Sequence, residues 1–172
     1  MRRLAVATSL LTALAADIAT AAPAAADAVS FRHERGDAVA RYDLTRVKVT
    51  NGHERLVVNA RVRDLRGDRT QILGFNITRV NGDTRYMPRT VRRANGKTTA
   101  RLGGYSSDGT TLDVACKVTR KWRPAQNTIK VAFARYCLQE QGRVRVSLYI
   151  GAGNGTIGDP ADWTKVVRVT QG

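Results

Sequence analysis

Residues 44–63 read LTRVKVTNGHERLVVNARVR. Leu44 to Thr50 alternates apolar and polar side chains. In Arg55 to Arg63, Val58, Ala60 and Val62 fall on one face and Asn59, Arg61 and Arg63 on the other. A period of two is the mark of a half-buried β-strand, because successive side chains point to opposite faces of a sheet. Asn51-Gly52 lies between the two runs, and that dipeptide is a strong short-range hairpin signal. The stretch predicts two antiparallel strands with one face in a core.

The same reading extends along the chain. Strands are predicted over Gln71–Thr78, around Tyr86, over Thr98–Leu102, Leu112–Val118, Thr128–Tyr136 and Val144–Ile150, and in a last run from Trp163 to Thr170. Turn signals separate them at Asn81-Gly82, Asn95-Gly96 and Asp108-Gly109. About eight or nine short strands at this spacing predict an all-β fold, a single antiparallel sandwich of jelly-roll or immunoglobulin-like type.

The first 26 residues read differently. Arg2 and Arg3 precede an apolar stretch from Leu4 to Ala16, and Ala24-Ala25-Ala26 offers small residues to a peptidase. These are the three parts of an export signal, and the apolar stretch is too short to span a bilayer. The expected organisation is a signal peptide over 1–26, a flexible lead-in over 27–37 and a sandwich over 38–172, in a secreted, extracellular protein. Cleavage is expected near Ala26.

Cys116 and Cys137 are the only cysteines of the chain. Cys116 continues the inward series Leu112, Val114, Cys116, Val118, and Cys137 ends the following strand. A hairpin turning near Pro124 to Asn127 puts the two nearly opposite each other, within disulfide reach. An even pair in an exported protein is normally oxidised. Neither cysteine has a CxxC spacing or a nearby histidine, so neither metal binding nor thiol catalysis is expected.

The chain carries a formal net charge of +15, with 29 Lys and Arg against 14 Asp and Glu. The signal holds two arginines and one aspartate, so +14 remains on the mature protein. That charge points to anionic partners or to a strongly hydrated surface. Many of the cations alternate with core positions, as Lys48, Lys130 and Arg145 do, and should face solvent. Two stretches concentrate charge further. Arg79 to Arg101 holds seven basic residues against Asp83 alone and includes Tyr86, Arg92 and Arg93. Arg120-Lys121-Trp122-Arg123 sets an indole among three cations beside a proline. An exposed aromatic flanked by cations can stack on a sugar or base while the cations meet phosphate or carboxylate. Arg120, Lys121, Trp122, Arg123, Tyr86, Arg92 and Arg93 are therefore the candidate contacts, with Trp122 equally able to fold inward as a cap on the core.

Catalytic patterns are weak. Gly153-x-Gly155-x-x-Gly158 follows a strand, but Asp159-Pro160 comes at once, where a dinucleotide site needs a helix. Ser106 and Ser107 in GGYSSDG do not form the G-x-S-x-G elbow. No catalytic residue, metal ligand or cofactor is assigned.

LTRVKVTNGHERLVVNARVRDLRGD, GFNITRVNGDTRYM and the two-cysteine stretch ending ARYCLQEQGRVRV resemble a group of small secreted actinobacterial β-sandwich proteins of unassigned function. The organisation is also similar to DOMON-type and carbohydrate-module sandwiches. That likeness implies fold, with sugar or haem as ligands. Met87 is the only methionine after the signal, so the Met–His pair of haem-binding members has no evident counterpart. The expectation is a non-catalytic binder of an anionic polymer or polysaccharide. The rivals are a small secreted hydrolase using His53 or a carboxylate, and a protein-interaction module.

Overall fold

The computed structural model describes residues 27–79, 84–138, 142–153 and 160–172. The expected signal peptide, the Asn81-Gly82 turn and most of the glycine loop at 153–158 lie outside the described residues. Twelve strands are described, none of them parallel to a neighbour. They are β1 (Asp27–Arg32), β2 (Leu44–Asn51), β3 (Arg55–Val62), β4 (Gln71–Arg79), β5 (Arg85–Arg92) and β6 (Thr98–Tyr105). β7 (Thr111–Val114), β8 (Val118–Arg123), β9 (Thr128–Ala134), β10 (Val144–Ala152), β11 (Pro160–Trp163) and β12 (Val167–Val169) complete the set. Sheet A runs β1-β2-β3-β9-β8; sheet B runs β11-β10-β4-β5-β6-β7, with β12 also paired to β10.

The alternation explains the two layers. Val47, Val49, Val58, Ala60, Ile129, Val131 and Phe133 line the inner face of sheet A; Leu73, Phe75, Ile77, Leu102, Val146, Leu148 and Ile150 line that of sheet B. They form one core, and the burial of apolar surface drives the sheets together. Among the described residues no helix is long and apolar enough to cross a membrane.

Four expectations change. Residues 27–32 are an ordered edge strand rather than a flexible lead-in, with Val29 opposite Val49 and Phe31 opposite Val47. Both side chains pack against the core, which is why a short polar-looking segment is held. Asn51 is a buried strand end rather than a turn residue. Its amide donates to the carbonyls of Gly142 (3.1 Å) and Val169 (3.3 Å), so the turn shifts to Gly52–Glu54. Gly96 and Gly109 do take the positive φ (80° and 84°) that their turns require.

Third, the expected strand Leu112–Val118 is two strands. β7 pairs with β6 in sheet B and β8 with β9 in sheet A, and residues 115–117 cross between them. Both strands point the same parity toward one shared core, so alternation continues through the crossover and hides it. Fourth, the disulfide is real but is no cross-strand rung. Cys116 and Cys137 are joined with their Cα atoms 6.0 Å apart. Cys116 lies in the crossover, and Cys137 lies in a 3-10 turn (Arg135–Leu138) just beyond β9. The bond clasps the place where the chain enters sheet A to the place where it leaves.

The cysteines are 21 residues apart in sequence. Closing a loop of that size contributes about 3 kcal/mol through the unfolded chain. The double variant Cys116→Ser, Cys137→Ser should lose about that much unfolding free energy in urea; an unchanged midpoint would place the stability entirely in the core.

Candidate functional site

Strand register assembles a surface that the linear sequence scatters. On the outer face of sheet A, Ser30 pairs with Lys48, Lys48 with Asn59, Asn59 with Lys130, and Lys130 with Lys121. One step along the strands, Arg32 pairs with Arg46, Arg46 with Arg61, Arg61 with Thr128, and Thr128 with Arg123. Each line crosses all five strands, a span of about 19 Å, and the two lines are about 7 Å apart. Lys48, Lys121, Lys130, Arg32, Arg46, Arg61 and Arg123 are all exposed, and no acidic residue stands in either line.

Directly opposed like charges destabilise a sheet. Here Lys121 faces Lys130, and Arg46 lies between Arg32 and Arg61. The surface is therefore charged at a cost to folding. At one end it dips into a hollow of about 330 Å³, where Arg32, Arg35, Arg46, Arg61 and Arg63 meet Asn127. Among the described residues only Arg63 of these forms an ion pair, 3.7 Å from the buried Asp43.

The candidate contacts separate. Lys121 and Arg123 belong to this surface. Arg120 has the opposite parity and reaches across the sandwich edge, donating to the Thr98 carbonyl at 2.7 Å and to its hydroxyl at 3.3 Å. Arg92 donates to the Gly67 carbonyl at 2.7 Å and holds the β3–β4 loop. Arg93 is exposed in the β5–β6 turn. Tyr86 is in the core, 3% exposed. Trp122 also turns inward: its ring packs on the core, and its Nε1 donates to Thr90 Oγ1 at 3.0 Å. Neither aromatic is a stacking platform, because each has the inward parity of its strand.

A second cluster was invisible in the sequence. His33 Nε2 lies 2.8 Å from Asp162 Oδ1 and 3.2 Å from Asp37 Oδ2. One ligand atom from each residue falls within 4.8 Å of the others, close enough to share a cation. Asp162 is buried, and its second oxygen accepts the Leu44 amide at 2.7 Å. The cluster joins β11 of sheet B to the β1–β2 segment of sheet A across 129 residues of chain, which no local spacing could reveal.

The hydrolase candidate His53 lies in the β2–β3 turn. His53 borders a hollow of about 510 Å³, but its Nδ1 accepts from the Gln171 amide at 3.3 Å, and among the described residues no serine or carboxylate is bonded to it. Ser106 is spent in the β6–β7 turn, where it donates to Asp108 Oδ1 and to the Thr110 carbonyl. No protein-family model matches the chain, and no curated protein matches it.

The same turn yields a titration test. The Ser106 hydroxyl and then the Thr110 amide hydrogen-bond the ionised Asp108, lowering its pKa from 3.8 to about 2. A depressed carboxyl stabilises the fold above its ordinary pKa and loses that contribution as pH falls through the folded value. Ser106→Ala should move the NMR midpoint of Asp108 up toward the ordinary carboxylate range. A midpoint that stays put would assign the effect to Thr110.

Proposed function

We propose that this is an exported, non-catalytic module that binds an anionic polymer through the outer face of sheet A. The observation that carries the reading is the pair of cation lines across five strands, seven exposed charges with no acid between them. The face suits an extended chain, since each line offers charges at strand spacing and the second line borders the arginine-lined hollow of about 330 Å³. Export fits the oxidised Cys116–Cys137 pair and the N-terminal pattern of residues 1–26, whose removal leaves the cations to a protein of +14. The exposed lysines and arginines act by displacing the counterions of the polymer, so affinity should fall steeply with salt.

Long-chain polyphosphate is the probe. Each cation removed from the surface should lower the slope of log K against log salt by about 1. The triple variant Lys48→Gln, Lys121→Gln, Lys130→Gln should therefore lose about two to three units of slope. Trp122→Phe removes the bond to Thr90 and should cost about 1 kcal/mol of stability with an unchanged slope. A triple variant that keeps the wild-type slope would refute the assignment.

A further inference from the structure

We infer that the outer face of sheet B holds a second, separate binding site, a trough for an acidic sugar unit of the hexuronate kind. Its geometry also follows from register. Trp163 pairs with Tyr149, Tyr149 with Gly74, Gly74 with Arg89, and Arg89 with Arg101, which makes one wall. Four residues along, Thr78 pairs with Arg85 and Arg85 with Tyr105, which makes the other. Between the walls runs a lower line containing Ser147 opposite Asn76, and Gly103 with Met87 on one side and Asp113 on the other. Over β5–β7 the trough deepens to a hollow of about 320 Å³, bordered by Arg89, Arg101, Tyr105, Asp113 and Tyr149 with Gly103 in its floor.

The walls are built rather than incidental. The Tyr149 phenol lies directly over Gly74, where an added Cβ would sit 2.1 Å from Cζ and 2.3 Å from Oη. Only glycine at 74 lets the ring cross β4 toward the arginines. Trp163 braces the ring from the other side, with centroids 4.8 Å apart. Burial pushes the phenol pKa up while Arg101 opposes the shift, so the hydroxyl is a neutral donor beside a guanidinium. Gly103 has the opposite role. Among the described residues a Cβ there would meet only the Leu112 carbonyl, at 3.4 Å, so none of them requires the position to be small. Its smallness keeps the hollow open.

The chemistry selects the ligand. Arg89 and Arg101 are opposed like charges, and among the described residues neither has an ion-pair partner. Two guanidinium forks side by side match a planar carboxylate. The exposed ring of Tyr105 offers an apolar face to a pyranose, and Asp113 accepts hydroxyl protons. The volume lies at the lower end of small-ligand sites, about 300–1,000 Å³, which fits a sugar unit and excludes a duplex. This site shares no residue with the cation lines of sheet A, so either can fail alone.

The test is calorimetric titration with trigalacturonate, neutral galactotriose and a sulfated galactose disaccharide. Trigalacturonate should bind best. Gly103→Val should fill the hollow, leave the thermal midpoint close to wild type and weaken binding roughly tenfold or more, as should Arg89→Gln with Arg101→Gln. The triple lysine variant of sheet A should bind trigalacturonate as wild type does. Wild-type affinity in folded Gly103→Val, equal binding of galactotriose, or preference for the sulfated sugar would each overturn the proposal.

Discussion

Two apolar faces packed against each other determine everything else in this molecule. Sheet A and sheet B each bury one side, and with a period of two, burying one side commits the other to solvent. The charge lines of sheet A and the trough of sheet B are thus the reverse sides of the core. A slip of one residue in β2 would carry Lys48 inward and Val49 outward, so the core holds the cation register as firmly as it holds itself. Asp162 and the disulfide act at the margins of this arrangement, the first tying sheet B to the β1–β2 segment of sheet A and the second clasping the crossover into sheet A to the turn beyond β9.

The arginines divide into two kinds with different physics. Arg120 and Arg92 are spent on backbone carbonyls, joining strand to strand and loop to strand. Arg32, Arg46, Arg61 and Arg123 stand on the open face of sheet A. Arg120 and Arg92 reach main-chain carbonyls of other strands and loops, whereas Arg46 and Arg123 bond to nearby side chains, Ser30 and Gln126. A guanidinium of the first kind loses freedom that it would need to follow a polymer.

The fold class could be read from alternation because alternation is a local property. Val58, Ala60 and Val62 declare a buried face wherever their strand sits. The position of β8 was less legible: Cys116 and Val118 keep the parity of Leu112 and Val114, so the change of sheet leaves no mark. β1 was missed because six residues with two core contacts resemble a tail. Of the candidate contacts, Lys121 and Arg123 sit on the charged face, while Trp122 and Tyr86 turn inward. Local charge density picked out residues 120–123, but the surface is made by neighbours in space. Lys48, Lys121 and Lys130 come together only once β2, β3, β9 and β8 are known to lie side by side. His33 and Asp162 make the same point across a larger separation.

The opposed cations on sheet A also govern how copies of the protein treat each other. Two molecules brought face to face on that side would set arginine against arginine, and the outer strands β1 and β8 present Arg32, Lys121 and Arg123 to any strand that would extend the sheet. Self-association by stacking or by edge growth is therefore discouraged. Under the proposed binding, a polymer of opposite sign would remove that barrier and bridge molecules, so crowding along its length would follow the supply of negative charge rather than contacts between proteins.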